Sequence, residues 1–157
     1  MKLPPFQALL DEHSTDLYRF CVATAGRGEA DDCFQEACIA ALRAYPKLRR
    51  GDNLRAWLFR IAQNKAIDLH RSRARRPVPV EAVPEPTAEP AAPDVDGEPE
   101  LWAALRALPP KQRTAVFCRT VLGMPYLELA ELLESSEDAA RHNVSEGLKK
   151  LREDWTA

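Results

Sequence analysis

Apolar residues recur at helical spacing in seven segments of the chain, and no segment alternates between apolar and polar residues as a half-buried strand does. Three periodic segments lie in the first half, over residues 6–20, 30–45 and 54–71. Four lie in the second half, over residues 101–108, 111–122, 126–133 and 137–152. The pattern therefore predicts an all-α fold.

A proline-rich stretch separates the two groups of helices. From Pro77 to Pro99, seven of 23 residues are proline, and acidic residues and alanine occupy many of the others. Proline removes a backbone donor and disfavours helix in the residue before it, and the stretch has too little apolar content for a core. We expect an extended acidic tether over residues 77–99 that joins two small helical modules, residues 1–76 and 100–157.

The net charge of −2 hides an uneven distribution along the chain. Residues 37–76 carry eleven Lys or Arg and two Asp or Glu, whereas residues 77–100 carry seven acidic residues and no basic one. A basic block of this kind is typical of a surface that binds a polyanion. No apolar run is long enough for a membrane span, and the N-terminus lacks the apolar core of a signal peptide. We expect a cytoplasmic protein.

Sequence features of an enzyme or a metal site are missing. There is no Gly-rich phosphate loop, no nucleophile elbow and no HExxH motif, and the three histidines lie in separate segments. Cys33 and Cys38 have no matching Cys or His pair, so no zinc site is expected. The four cysteines fit small buried hydrophobes. We predict a non-enzyme without metal or cofactor.

The basic block contains aromatic residues, which changes its interpretation. A run of arginines alone is usually a solvated face or a favourable charge at a helix C-terminus. Here Trp57 and Phe59 lie upstream of the Arg71–Arg76 run, and aromatic faces can stack on unpaired bases while Arg and Lys bind phosphate. One of the two aromatic residues is expected in the core. Contact with single-stranded DNA and a solvated face both remain open on this pattern.

The last two predicted helices form a helix-turn-helix outline. They are joined by the turn Glu134-Ser135-Ser136, and Ser136 is a candidate N-cap for the second helix. Polar side chains early in that helix occupy the positions where a recognition helix meets base edges. Against this role, three acidic residues would repel phosphates if they faced DNA: Glu137, Asp138 and Glu146.

Four sequence segments resemble the extracytoplasmic-function (group IV) sigma factors of bacteria. Asp31 to Ala37 (DDCFQEA) and Leu54 to Asp68 (LRAWLFRIAQNKAID) are similar to sigma region 2. Leu105 to Arg113 (LRALPPKQR) and the helix-turn-helix from Gly123 to Leu151 are similar to region 4. The resemblance covers both modules in order, and the LRAWLFRIAQNKAID string is highly specific.

The resemblance implies an alternative sigma factor that binds core RNA polymerase, recognises promoter elements and promotes promoter opening, while the polymerase performs the chemistry. Contacts to the β′ clamp helices are implied for Asp31, Asp32, Gln35 and Glu36. Contacts to the opened −10 element are implied for Arg55, Trp57, Arg60, Asn64, Lys65, Arg71, Arg73, Arg75 and Arg76. Contacts to the −35 element are implied for Ser136, Arg141, His142, Asn143, Ser145 and Lys149. Region 4 would also dock on the β-flap, and a separate anti-sigma factor would regulate the protein.

One departure from the family pattern lies in the turn of the helix-turn-helix. The family usually has Gly-Ile-Ser where this chain has Glu134-Ser135-Ser136, so a non-glycine residue must adopt the turn geometry. This departure, together with the low charge of the following helix, predicts either weak −35 binding or a specific readout of the −35 element that is less electrostatic. The weak −35 features favour one alternative, a stand-alone DNA-binding regulator with a sigma-like fold. A second alternative is a decoy held by an anti-sigma partner.

Overall fold

The computed structural model describes residues 3–48, 53–75 and 99–156. The first module contains three α helices, α1 (Phe6–Ala25), α2 (Arg27–Ala44) and α3 (Leu54–Arg75), with a 3-10 turn at Tyr45–Lys47. The second module contains four, α4 (Pro99–Ala107), α5 (Pro110–Thr120), α6 (Tyr126–Leu132) and α7 (Glu137–Thr156). The all-α prediction is confirmed, and each predicted helix is present.

Two helix starts differ from the sequence-based boundaries. Helix α2 begins at Arg27, three residues earlier than predicted, because only Gly26, with φ of 88°, interrupts the chain, and Gly28 is helical. Glu29 is therefore the acidic residue in the first turn of α2, and Asp31 and Asp32 lie in its second turn. Helix α4 begins at Pro99, the last residue assigned to the tether. The rest of the tether lies outside the described residues.

Side chains cap the two helices that carry most of the candidate site. The Asn53 side-chain oxygen accepts a hydrogen bond from the Ala56 backbone N–H at 3.0 Å, three residues into α3. The Ser136 hydroxyl oxygen accepts one from the Ala139 N–H at 3.0 Å at the start of α7, which confirms its predicted role as an N-cap. A cap of this type stabilises a helix by about 1 kcal/mol.

The hydrophobic core runs continuously through both modules. The Phe20 ring of α1 lies 5.4 Å from the Phe59 ring of α3 and 5.7 Å from the Phe117 ring of α5, in edge-to-face geometry both times. All three side chains are fully buried. Phe59 is thus the aromatic residue of α3 that enters the core, and Trp57 is only partly buried. The two modules form one body.

A buried arginine also joins the modules. Arg113 of α5 donates one hydrogen bond to the Thr24 carbonyl of α1 and another to the Leu108 carbonyl, each at 3.0 Å. Thr24 belongs to the last turn of α1, where backbone carbonyls lack helical partners. Burial and the nearby Arg106 lower the pKa of Arg113 from its ordinary value. The guanidinium therefore fixes the end of α1 against the α4–α5 hairpin.

The turn between α6 and α7 contains a strained residue. Glu134 has φ of 53°, the one non-glycine residue with positive φ in the described part of the chain. The Ser135 N–H donates to the Ala130 carbonyl at 2.9 Å, which closes a Schellman-type C-cap around Glu134. Glycine adopts this conformation freely, whereas another L-residue is destabilised there by about 1–2 kcal/mol.

The four cysteines pack as small side chains. Cys21, Cys33 and Cys118 are buried and Cys38 is partly buried, all as free thiols, in agreement with their prediction as small hydrophobes. Burial raises the pKa of Cys38 and Cys118, which keeps both thiols protonated. Over the described ranges, no three His, Cys, Asp or Glu side chains are placed to share a metal ion. None of the described helices has the length and apolarity to cross a membrane.

A pair of glycine substitutions tests the packing of α7 on α5. A Cβ at Gly147 would lie 2.5 Å from Val116 Cγ2, and the short, branched valine side chain cannot move aside easily. Gly147→Ala should therefore lower the free energy of unfolding by about 1–3 kcal/mol through overpacking. Alanine would otherwise stabilise a helix by about 1 kcal/mol relative to glycine.

Gly28→Ala is the matched control, because a Cβ at this helical position meets nothing within 4 Å. It should leave stability unchanged or raise it by up to about 1 kcal/mol. Urea unfolding followed by circular dichroism measures both variants. Equal or greater stability of Gly147→Ala would contradict the close approach of α7 and α5.

Candidate nucleic-acid interface

The outer face of α3 brings together an aromatic, a polar and a basic side chain. Trp57 is partly buried, with its ring centroid 6.0 Å from that of Tyr45, and Asn64 and Arg71 are exposed. Seven-residue steps return to the same face of a helix, so these three side chains form one stripe about four turns long. The stripe combines a ring that can stack, an amide that can form hydrogen bonds and a charge that can bind phosphate.

Lys65 lies at the border of α3 that faces α2. Its Nζ is 3.8 Å from the Glu36 carboxylate, and the lysine side chain is 30% exposed. A contact this exposed contributes at most about 1 kcal/mol, and it can exchange for a phosphate contact at little cost. The pair therefore joins Lys65, which is predicted to contact the −10 element, to Glu36, which is predicted to contact polymerase.

Arg55 points away from the Trp57 side of α3. Residues two apart differ by about 200° around a helix, and Arg55 faces α6 of the second module. Its Nη2 donates to the Glu128 carboxylate at 2.8 Å, and its Nε donates to the other carboxylate oxygen. These hydrogen bonds hold the pKa of Arg55 above its ordinary value although burial opposes them. Arg55 is thus already paired with an anion in this structure.

Arg60 contacts the C-terminal end of α6. Its guanidinium donates to the Glu131 and Leu132 carbonyls, the latter at 3.3 Å, and its Nε lies 3.5 Å from the Glu134 carboxylate. Carbonyls at a helix C-terminus lack helical partners and carry the negative end of the dipole, which favours a cation there. The structure therefore separates Arg55 and Arg60 from the stripe of Trp57, Asn64 and Arg71.

The remaining basic residues of the predicted −10 set are only partly described. Arg73 and Arg75 belong to the last turn of α3, but their side chains lie outside the described part of the structure. Arg76 lies beyond the described residues.

The predicted polymerase surface on α2 consists of a central exposed face and two borders. At one border, Asp31 accepts a hydrogen bond from the Tyr18 hydroxyl of α1 at 2.9 Å; at the other, Glu36 contacts α3. Asp32 and Gln35 are exposed between these borders. The central face also carries two large apolar side chains that the sequence analysis missed, Ile39 at 50% and Leu42 at 56% exposure.

The spacing of Ile39 and Leu42 in the sequence indicates that both lie on the exposed face of α2. They follow Gln35 by four and seven residues, which places them on the polar face of α2. Exposed apolar side chains in line with acidic ones are typical of a protein-docking surface.

Helix α7 presents most of the predicted −35 residues on one exposed face. His142, Ser145 and Lys149 share this face at steps of three and four residues, and all are exposed. The acidic Asp138 lies on the same face, four residues before His142. Ser136 is exposed at the helix start, where its hydroxyl is used by the cap. Asn143 is half-buried, about 100° around the helix from His142, toward the side that packs on the module.

Arg141 is held at the edge of this face. Its Nη2 donates to the Glu137 carboxylate at 2.7 Å, and its guanidinium lies 4.3 Å from the centre of the Tyr126 ring. Arg119 of α5, which the sequence analysis did not select, lies 4.1 Å from the centre of the same ring and donates to the Met124 carbonyl. The aromatic ring thus concentrates two positive charges beside the start of α7. No sequence spacing links these three residues, because they belong to three helices.

Each of the two modules matches a known protein family. The family model described as sigma-70 region 2 matches residues 9–76, and the model described as sigma-70, region 4 matches residues 99–151. The chain is 34% identical over 151 residues to the ECF RNA polymerase sigma factor SigD of Mycobacterium tuberculosis, which covers 88% of this chain and 71% of the relative. It is 34% identical over 155 residues to the RNA polymerase sigma factor CarQ of Myxococcus xanthus, covering 94% and 87%.

A solved structure matches over nearly the whole fold. The sigma factor RpoE of Bartonella quintana, in complex with the anti-sigma factor NepR, superimposes with a TM-score of 0.75 at 25% identity over 94% of each chain. The order of the two matched regions, the identity to curated sigma factors and the shared fold agree with one another. The chain therefore belongs to the extracytoplasmic-function (ECF) sigma factors, the non-catalytic subunits that direct RNA polymerase to promoters in transcription initiation.

Proposed function

We propose that this sigma factor reads the −10 element with residues 1–76 and the −35 element with residues 100–157, on either side of a linker over residues 77–99. In this proposal the chain catalyses no reaction and acts in the cytoplasm, where the polymerase and the chromosome are. The observation that carries it is the stripe of partly buried Trp57 and exposed Asn64 and Arg71 on one face of a capped helix.

The −10 element is held in its opened, single-stranded form. Trp57 offers a ring on which an unpaired base can stack, and Asn64 offers hydrogen bonds one seven-residue step along the same face. Arg71, with Arg73, Arg75 and Arg76 beyond it, binds the backbone phosphates. Unstacking a base costs a few kcal/mol, which stacking on a side chain at about 1–3 kcal/mol and phosphate contacts offset. Lys65, Arg55 and Arg60 contribute once they leave their present partners.

The −35 element is read by α7 in the major groove. His142 and Ser145 lie where a recognition helix meets base edges, and Lys149 and Arg141 bind phosphate. Ser136 contributes at the helix start. Asn143 belongs to the same predicted set, but its half-buried position supports this role less well. Asp138 on this face and the Glu137–Arg141 pair both reduce the attraction to DNA, in agreement with the weak −35 binding expected from the sequence.

Polymerase docking uses the outer face of α2. Asp32 and Gln35 in the centre, with Asp31 and Glu36 at the borders, supply acidic and polar contacts for the β′ clamp helices. Ile39 and Leu42 add apolar area to the same face. Region 4 docks on the β-flap. An anti-sigma factor is a further proposed partner, supported by the structural match to RpoE in complex with NepR.

In vitro transcription tests the proposal as a whole. Purified core polymerase with and without the chain is supplied with fragmented genomic DNA, and the 5′ ends of the transcripts are mapped. Discrete starts that depend on the chain and share a −35 and −10 pair are expected. If the chain binds polymerase but yields no starts, the promoter-reading assignment is wrong.

Charge reversal at Asp32 tests the polymerase surface. Asp32→Lys should weaken binding to core polymerase about tenfold or more, because it places a positive charge in the centre of an acidic contact face. Asp11→Lys makes the same charge change on an exposed position of α1 and should change the affinity less than about twofold. Fluorescence anisotropy of labelled chain against core polymerase measures both. Equal affinities for the two variants would remove Asp32 from the interface.

Removal of the Trp57 ring tests the −10 surface. Trp57→Ala should lower open-complex formation by roughly 5- to 150-fold, the equivalent of about 1–3 kcal/mol for a lost stacking platform, with polymerase affinity unchanged. Ile61→Ala is the control, because Ile61 is also partly buried on this side of α3 but offers no ring. Permanganate footprinting of the melted DNA gives the readout. If Trp57→Ala instead unfolds the first module, Trp57 is a core residue.

A further inference from the structure

Helix α7 carries one acidic side chain that the fold itself does not use, Glu146. The two acidic residues before it have local roles, because Glu137 accepts a hydrogen bond from Arg141 and Asp138 lies in the first turn, where the helix dipole favours a carboxylate. Glu146 lies more than two turns further along, outside the range of that dipole. Within the described part of the chain, no side chain forms an ion pair or a hydrogen bond with its carboxylate.

Glu146 lies at the border of the α7 face that is proposed to read the −35 element. It follows His142 by four residues and precedes Lys149 by three, so the three side chains share one side of the helix. His142 and Lys149 are exposed, and Glu146 is half-buried. Val144 and Gly147 are buried on the opposite side, against the module. A recognition helix in this orientation carries the Glu146 carboxylate into the major groove.

The backbone beneath Glu146 is held closely against α5. At the next residue, Gly147, even an added Cβ would lie 2.5 Å from Val116 Cγ2 and 3.4 Å from the Gln112 carbonyl oxygen. Helix α7 therefore cannot move closer to α5 at this point, and its register on the module is fixed. A side chain held by so fixed a backbone meets the same base pair each time the helix docks, which sequence discrimination requires.

The chemistry of a carboxylate in the major groove selects one base. Guanine presents N7 and O6 there, thymine presents O4 and adenine presents N7, all of them acceptors that repel a carboxylate. Cytosine presents its N4 amino group, a donor, and no acceptor of its own. An ionised glutamate only accepts hydrogen bonds, so it favours cytosine and disfavours the other three bases.

The phosphates on either side of the groove oppose a negative charge, and the next turn of α7 offsets this repulsion. Lys149 and Lys150 follow Glu146 by three and four residues, and both are exposed. Neither forms an ion pair within the described ranges, so both ammonium groups are available to phosphates. The lysines thus supply attraction that is independent of sequence, and Glu146 supplies discrimination between bases.

We propose that Glu146 is a specificity-determining residue, whose carboxylate accepts a hydrogen bond from the N4 amino group of a cytosine in the −35 element. This inference rests on the proposed function of α7. Four residues of helix rise by about 6 Å, which is close to two base-pair steps of about 3.4 Å. The cytosine is therefore about two base pairs from the pair that His142 contacts.

The test uses holoenzyme assembled from core polymerase and the full chain, on a promoter library with a randomised −35 region. Barcoded transcripts are sequenced, which gives the base preference at each position. The parent should prefer cytosine at one −35 position by roughly 5- to 150-fold over each other base. Glu146→Gln should move this preference to adenine, because a glutamine amide pairs with adenine N6 and N7. Glu146→Ala should remove the preference and leave the other positions unchanged.

Glu131→Gln is the matched control, because Glu131 is exposed on α6 and its substitution removes the same charge. This variant should retain the cytosine preference of the parent. The affinity of every variant for core polymerase, measured by fluorescence anisotropy, should stay within about twofold of the parent. Glutamine matches glutamate in size, and the alanine variant provides a second, independent substitution at the same position.

The possible contrary results are distinguishable from one another. If Glu146→Gln raises transcription from all −35 sequences equally, the carboxylate only repels DNA and reads no base. A base preference that His142→Ala alters but Glu146→Gln does not would show that α7 reads the element without Glu146. If the parent prefers no base at any −35 position although its transcripts start at discrete sites, the proposed −35 function of α7 is wrong, and the role of Glu146 with it.

Discussion

The packing of Phe20 against one ring from each module is the contact on which the rest of the structure depends. Phe59 brings α3 to this point from the first module, and Phe117 brings α5 from the second. Because the rings fix α1 between α3 and α5, the termini of α1 and α5 meet, and Arg113 reaches the Thr24 carbonyl. The polar contacts between α3 and α6 form around this apolar centre.

The same packing determines which functional surfaces face solvent. It leaves the outer faces of α2 and α7 exposed, so the surfaces assigned to polymerase and to the −35 element are available in the packed state. It brings α6 onto one side of α3, which divides the basic residues of α3 into an exposed group and a paired group. The basic residues of α3, which look alike in sequence, thus differ in their exposure to solvent. This division follows from the position of α6 and needs no change within α3 itself.

Local patterns were sufficient for the helices and their caps but not for their arrangement. The spacing of apolar residues predicted every helix, and Ser136 was identified as a cap, because these features depend on neighbours within a few residues. The predicted start of α2 is three residues late because the sequence does not show which of Gly26 and Gly28 ends α1, and of these two only Gly26 has a positive φ. Arg55 and Glu128 are 73 residues apart and lie in different modules, so no periodicity could pair them. Similarly, Asn143 looked like its neighbours in sequence, but its direction depends on how α7 packs.

The shared core also bears on how long the chain survives when it is free. Separation of the modules exposes the faces of Phe20 and Phe117 to water together with the apolar side chains around them. Exposed apolar surface of this kind is what chaperones and proteases recognise, and degradation through an open state follows the population of that state. A chain that opens without polymerase to cover it is therefore the one most readily removed. Contacts that hold the modules together thus lower the susceptibility of the free chain to degradation.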